Sequence, residues 1–169
     1  MVRLEHVVSS WKTVRQDTAT AVEEFPEEEL DYRPTPEVAT FREIARHILH
    51  ASDGLTGMLL AGEEVFGGPD FRDKLKPHVR ELPASAGRAE MGAALRESMT
   101  RRAAELETRS PEFYAQSVMR FGDPVTRLEM LQFVKEHELT HRQQLFLYLR
   151  LKGIVPPTTR RRMAQQAAK

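Results

Sequence analysis

Residues 123–157 read DPVTRLEMLQFVKEHELTHRQQLFLYLRLKGIVPP, a long helical pattern without a break. Its apolar residues recur every three or four positions, which is typical of a helix with one buried face. Asp123 followed by Pro124 matches a helix start, as N-cap and first helical residue. Gly153 follows Lys152 as a helix stop, and prolines lie just beyond it. We therefore predict a long helix that begins at Pro124 and ends at Lys152.

Two histidines belong to the apolar stripe of this helix. Met130, Val134, His137, His141 and Leu145 follow one another by three or four residues. Both imidazoles are therefore predicted on the core-facing side of the helix. Their i, i+4 spacing separates them by about 40° around the helix and one turn along it. A single metal ion is within reach of both rings.

An earlier helix supplies a third histidine. Thr40, with Glu43 three residues later, has the signature of a capping box, and an apolar stripe follows from Ile44. His47 lies three residues after Ile44, on the predicted core face. His50 falls on the charged side of the same helix, where it supports the site or stays at the surface. A small rotation of the helix would exchange the two histidines.

Two more helices complete the predicted fold. Residues 3–24 and 85–108 each carry one apolar stripe at helical spacing. The segment 66–83 looks irregular, and 109–123 is ambiguous between a short helix and an extended connection. No convincing strand alternation is present. Four helices that each hide one apolar stripe favour an all-α four-helix bundle.

The chain divides into a bundle and a tail. We predict a four-helix-bundle, metal-binding domain over residues 1–153 and a basic C-terminal tail over residues 154–169. The tail is expected to form a short or frayed surface helix rather than an arm that binds nucleic acid.

Composition narrows the function classes. With 169 residues, 40% of them hydrophobic, the chain can bury one sizeable core. Lys and Arg number 25, as do Asp and Glu, so no bulk charge attracts nucleic acid or a membrane surface. Neither a signal peptide nor a transmembrane segment is evident, which leads us to expect a cytoplasmic protein. Without cysteine, any metal site must use nitrogen and oxygen ligands.

Three neutral imidazoles from two helices would leave a zinc-like ion with at least one open position for water or substrate. Such a site can lower the pKa of bound water or of a thiol and polarise an electrophile. The alternative is that the three histidines only hydrogen-bond buried carbonyl groups. The set of His47, His137 and His141 favours metal binding over that alternative.

Residues 137–141, HELTH, also match the H-E-x-x-H signature of zinc peptidases, in which the glutamate is the general base. Peptidases of this kind take a third ligand downstream, and no Asp, Glu or His follows His141. A peptidase is therefore disfavoured. Glu138 is retained as a candidate catalytic proton acceptor, with a solvated helix residue as the alternative. Gln144 either lines the pocket or packs at the bundle edge.

Two motifs resemble the DinB/YfiT-like family of bacterial proteins associated with metalloenzymes. These are EIARHI around His47 and H-x-x-x-H-R-x-Q-L from His137, followed by a Gly and Pro terminus. The resemblance spans nearly the whole chain. It implies an up-down-down-up bundle, a His-triad site for zinc, nickel or another divalent ion such as manganese or iron, and a homodimer.

The resemblance also implies a reaction class. Some relatives transfer a low-molecular-weight thiol onto electrophiles, so we expect a metal-dependent S-transferase with a small-molecule substrate and a thiol cosubstrate. A metal-dependent hydrolase and a non-catalytic metal-binding or dimerisation module are the alternatives. A shared bundle does not transfer chemistry, so the fold alone does not choose among them.

Overall fold

The protein is described by a computed structural model over residues 3–168. Four long helices dominate this part of the chain, and three shorter helices and three short strands accompany them. The long helices are α1 (Leu4–Glu24), α2 (Phe41–Leu60), α4 (Arg88–Glu107) and α6 (Arg127–Leu151). The short helices are α3 (Phe71–Leu75), α5 (Pro111–Ala115) and α7 (Pro157–Ala167). The predicted all-α four-helix bundle is confirmed.

The long helices form a square in which α1 and α2 each pack against α4 and α6. Arg127 at the start of α6 donates to the carbonyl of Leu59 at the end of α2, so these helices run antiparallel. Arg42 at the start of α2 donates to the carbonyl of Ala86 just before α4, so these run parallel. α1 runs opposite to α4. The order is therefore up-down-down-up, as expected.

Capping boxes begin the two helices that carry the histidines. The Thr40 side chain accepts from the N–H of Glu43, whose carboxylate accepts from the N–H of Thr40. Thr126 and Glu129 repeat this exchange at the start of α6. The predicted start at Asp123 is wrong, because residues 123–126 form a strand and Thr126 is the N-cap. The T-x-x-E spacing was the stronger start signal.

A small sheet closes one end of the bundle, a feature that the sequence did not predict. Strand β1 (Val65–Phe66) pairs in parallel with β2 (Ser117–Arg120), and β2 pairs antiparallel with β3 (Asp123–Thr126). Strands of two to four residues are too short to show an alternating pattern. Phe121 and Gly122 form the turn, and both have positive φ, 50° and 98°. This matches the turn type that suits the twist of a tight hairpin.

The apolar core of the bundle consists of two buried clusters. Phe25 stacks on Phe41 with ring centroids 3.7 Å apart and joins α1 to α2. Trp11 lies fully buried in a second apolar cluster farther along the bundle. Burying a side chain of this size contributes about 1.5–3 kcal/mol, so these rings are major sources of stability. Across residues 3–168, none of the helices has the length and apolar character needed to cross a bilayer.

A buried ion pair lies at the centre of the bundle. The guanidinium of Arg15 on α1 donates to both carboxylate oxygens of Glu138 on α6, each at 2.8 Å. The same guanidinium donates to Ser52 on α2 and to the carbonyl of Leu95 on α4. Both charged side chains are about 1% exposed. This one group therefore contacts all four long helices.

The basic tail forms helix α7 and packs against α1. Arg161 makes a two-pronged ion pair with the buried carboxylate of Asp17, at 2.7 and 2.9 Å. Arg160 pairs in the same way with Glu24. The expected short surface helix is present; the buried Pro157 anchors its start, and the two ion pairs hold its next turn to the bundle.

Glu138→Gln is expected to lower the free energy of unfolding by about 3–5 kcal/mol, because it leaves the Arg15 charge buried without its counter-ion. Urea unfolding followed by circular dichroism measures this. Glu136→Gln is the matched control, an exposed glutamate on the same helix. An unfolding free energy for Glu138→Gln within about 0.5 kcal/mol of the wild-type value, the range of ordinary surface changes, would contradict the central role of the pair.

Candidate metal centre

Three histidine side chains meet where α2 and α6 face each other. Nε2 of His137 lies 3.2 Å from Nε2 of His47 and 3.2 Å from Nε2 of His141. His137 and His141 come from successive turns of α6, and the antiparallel α2 brings His47 opposite them. These are the three histidines that the sequence predicted as a set. Together they could hold a metal ion.

The distances between the ring nitrogens suit one shared ion. Zinc–nitrogen bonds are about 2.0–2.1 Å long, so tetrahedral angles place two ligand nitrogens about 3.3 Å apart. A hydrogen bond explains the cluster less well, because one proton on His137 Nε2 cannot serve both the His47 and the His141 contact equally. Three imidazole nitrogens suit zinc, copper, iron or nickel better than magnesium or calcium.

The triad lies at the surface of the bundle rather than inside its core. His47 is exposed, and His137 and His141 are half-buried. The expectation that the histidines lie within the buried stripe is therefore wrong in part, since they occupy its solvent edge. Within residues 3–168, no Asp or Glu side chain joins the three histidines. The side away from the bundle is accordingly open to solvent and to small molecules.

Burial and mutual proximity favour the neutral imidazole at His137 and His47. Burial, with the neighbouring His141 and His47 rings, lowers the pKa of His137 from 6.5 to about 4. Although His47 as a whole residue is exposed, desolvation of its ring within the cluster lowers its pKa as well, and the neighbouring His141 adds to this. Metal ions bind the neutral imidazole, so protons compete weakly for the nitrogens of His137 and His47 at neutral pH.

Gln144 orients one of the three rings. Its Oε1 lies 2.8 Å from Nδ1 of His141, one turn farther along α6. A carbonyl oxygen accepts hydrogen bonds, so Nδ1 of His141 carries the proton and Nε2 presents its lone pair to the cluster. Of the two roles considered for Gln144, the pocket role fits this contact.

A model of the DinB family matches residues 1–168. The chain belongs to the DinB family. A comparison with curated proteins gives no significant match. Three solved structures share the fold of this DinB protein at identities too low to show more than the fold.

YjoA, a DinB-like protein from Bacillus subtilis, is 22% identical with a TM-score of 0.68, over 88% of this chain and 92% of its own. A DinB-like protein from Bacillus cereus ATCC 10987 is 20% identical with a TM-score of 0.70, over 91% and 95%. YfiT from Bacillus subtilis is 17% identical with a TM-score of 0.65, over 91% of each chain. YfiT is described as a probable metal-dependent hydrolase with an unusual four-helix bundle topology.

The structure does not bring every predicted site residue of this DinB protein to the triad. Glu138 turns towards α1, where Trp11, Thr18 and Arg15 all donate to its carboxylate. A carboxylate with four such bonds has no free lone pair aimed at a substrate, which favours a structural role over proton transfer. The H-E-x-x-H match therefore lacks its general base. His50 lies outside the cluster, and its buried Nε2 has no partner among the described residues.

Sequence reasoning missed the residues beside the triad. The ring of Phe133 lies 6.3 Å from that of His137, and Phe121 and Arg120 on the hairpin contact Phe133 in turn. Phe133 precedes His137 by one helical turn, so its position was readable from spacing. The hairpin residues carry no such signal, because the β2–β3 turn was not predicted.

We expect the metal-free protein to lose stability as the pH falls from 6.5 to about 4. In the unfolded chain His137 takes up a proton below 6.5, whereas in the folded chain it stays neutral to about 4. Above this pH window, His137 therefore does not affect the free energy of unfolding. As the pH falls through the window, His137 lowers that free energy by an increasing amount. His137→Gln should flatten the fall. Urea midpoints at pH 7.5, 5.5 and 4.5, with chelator present, measure it.

The control for this experiment is His6→Gln, which removes an exposed histidine near the N-terminus. Its pH profile should match that of the wild type. If His137→Gln also follows the wild-type profile, the imidazole of His137 is not held neutral by its surroundings.

Proposed function

We propose that this DinB protein is an enzyme that uses one divalent ion, zinc or nickel, held by His47, His137 and His141. The observation that carries the proposal is the convergence of three Nε2 atoms, with two of the three distances at 3.2 Å, on the open side of the bundle. YfiT, which shares the fold, is described as metal-dependent, and this agrees with the proposal.

An open site favours catalysis over a structural role. Structural zinc sites use four protein ligands, whereas catalytic sites use three and leave a position for water or substrate. Three histidines are found here, and none is fully buried. A bound ion would lower the pKa of a thiol or water at the open position and polarise an electrophile. The non-catalytic module is therefore the less favoured alternative.

The reaction that we propose is transfer of a low-molecular-weight thiol onto an electrophilic small molecule. The thiol sulfur forms a bond to the electrophilic carbon as the leaving group departs with its electron pair, and the thiol proton passes to solvent. A thiol ionises with a pKa of about 8.5, so it needs no strong protein base at neutral pH. This suits a site whose candidate base, Glu138, is already saturated with hydrogen bonds.

A metal-dependent hydrolase is the second candidate, and the description of YfiT favours it. Hydrolysis begins from water, whose pKa in bulk is about 15.7 and falls to about 7 on zinc. A metal-dependent hydrolase usually also has a general base that accepts the proton of the metal-bound water. The engagement of Glu138 removes the base that the sequence had suggested. The expected homodimer and cytoplasmic location stay predictions.

Elemental analysis of protein purified without affinity resin is expected to find about one zinc or nickel ion per chain. His47→Ala, His137→Ala and His141→Ala should each abolish it, because two imidazoles hold such ions far more weakly than three. His50→Ala is the matched control, a histidine three residues after His47 that lies outside the cluster. Loss of the ion in His50→Ala but not in His47→Ala would reassign the site.

The loaded wild type is then screened with a panel of thiols and an alkyl halide or epoxide, and separately with esters and amides. Consumption of thiol that depends on the ion supports the transferase. Release of acid without thiol would support the hydrolase instead. No turnover of any kind by the loaded protein would favour the non-catalytic module.

Gln144→Ala is expected to weaken zinc affinity by about 10–100-fold, because the His141 ring loses the acceptor that orients it. Competition with a fluorescent zinc chelator measures the affinity. Gln143→Ala, at an exposed neighbouring position, is the control. Equal affinity of Gln144→Ala and wild type would show that the Nδ1 contact does not orient the ring.

A further inference from the structure

Three aromatic rings form a continuous path that ends at the triad. The ring of Phe71 lies 5.9 Å from that of Phe121, Phe121 lies 6.0 Å from Phe133, and Phe133 lies 6.3 Å from His137. Neighbouring rings meet edge-on or tilted, the arrangements that aromatic pairs prefer. We call Phe71, Phe121 and Phe133 the aromatic shelf. It lies on the side of the triad towards the start of α6.

Phe121, the middle ring of the shelf, lies in a backbone conformation and at a surface position that large apolar residues rarely occupy. Phe121 has φ of +50° in the hairpin turn, where Asn, Asp or Gly is preferred. Its side chain is 59% exposed, although it is large and apolar. The carbonyl of Phe66 accepts from its N–H at 2.7 Å, and Gly67 packs against its ring. The turn itself does not require an aromatic side chain, so the exposed ring of Phe121 indicates a role beyond forming the turn.

A guanidinium lies over the shelf. Arg120 places its Cζ 5.1 Å from the centre of the Phe133 ring, within cation–π range, and the side chain is half-buried. No ion pair or hydrogen bond to this guanidinium occurs within residues 3–168. Asp123 is its partner across the hairpin but forms no ion pair with it. Glu129 is hydrogen-bonded to Thr126, and the Arg120 charge reaches its carboxylate only through space, without a direct contact. Arg120 is thus positioned to bind an anion.

Other cations near a concave surface are already paired. A groove of about 500 Å³ lies between α1 and α4, on the opposite side of the bundle from the triad. There Lys12 pairs with Glu107 and Arg96 pairs with Glu23. That groove therefore offers no comparable anion site, whereas the shelf combines apolar rings with an available guanidinium.

We propose that the aromatic shelf and Arg120 form the binding site for the electrophilic substrate, and that this substrate is an aromatic carboxylate. The flat body packs on the exposed ring of Phe121, the carboxylate binds the fork of Arg120 where it lies over Phe133, and the reacting end faces the triad. A guanidinium matches a carboxylate with two parallel hydrogen bonds, and aromatic faces suit a flat ring. The role as electrophile rests on the proposed function; the binding site does not need the ion.

Fluorine NMR of 4-fluorophenylacetate with chelator-treated protein tests this site. The neutral 4-fluorophenylacetamide and the ring-free trifluoroacetate are the matched probes. The wild type should bind 4-fluorophenylacetate more tightly than either. Arg120→Ala should raise the Kd of 4-fluorophenylacetate about tenfold, to that of the amide, because a charge-assisted bond is lost. Phe121→Ala should weaken the acid and the amide alike.

Two variants serve as controls. Arg162→Ala removes one exposed arginine on α7, and Met163→Ala removes one exposed apolar side chain beside it. Both should bind as the wild type does. Thermal melts confirm that Arg120→Ala and Phe121→Ala remain folded. Equal Kd values for wild type and folded Arg120→Ala, or no binding of 4-fluorophenylacetate, would overturn the proposal.

The same titrations with zinc-loaded protein separate this inference from the proposed function. If 4-fluorophenylacetate binds only when zinc is present and Arg120→Ala has no effect, the carboxylate binds the ion and the shelf proposal fails. If the shelf binds 4-fluorophenylacetate but the triad takes up no metal, the shelf stands and the metal-dependent enzyme fails.

Discussion

The buried ion pair between Arg15 and Glu138 is the interaction on which the rest of the structure depends. A charge inside a protein is tolerated only when its partners are complete, and here Trp11, Thr18 and Ser52 complete them. The pair joins helices that are distant in the chain and sets how α6 is rotated about its axis. With Glu138 directed to α1, the neighbouring His137 must face another side.

That rotation places the histidines. His137 precedes Glu138 by one residue, so it lies about 100° away around the helix, at the side that meets α2. His141 follows one turn later, and the antiparallel course of α2 brings His47 between them. Gln144, which lies one turn after His141 on α6, orients the His141 ring. The triad is thus preorganised by ordinary helix packing, and the small sheet adds the shelf beside it.

Much of the fold and part of the site could be predicted from local patterns. Apolar stripes located the four long helices, and the capping box at Thr40 located the start of α2. Thr126 with Glu129 carries the same kind of signal and marks the start of α6, whereas Asp123 with Pro124 predicts a start three residues too early and hides the hairpin. The H-E-x-x-H motif predicts a catalytic role for Glu138 because a sequence motif does not show in which direction a carboxylate side chain points. Strands as short as β1 leave no pattern to detect.

The sequence by itself determined that His137 and His141 share a helix face, because the period of the α-helix settles the relation of residues four apart. It also determined that no cysteine thiolate of this chain could be a ligand in the site, since the chain has no cysteine. Only the tertiary structure decided that His47 rather than His50 completes the triad, that Glu138 is withdrawn into the core, and that Arg120 and Phe121 reach its edge. These relations depend on the rotation and direction of helices whose contacting residues lie up to 127 positions apart in the chain. Packing and buried charge set that rotation and direction, and local spacing does not.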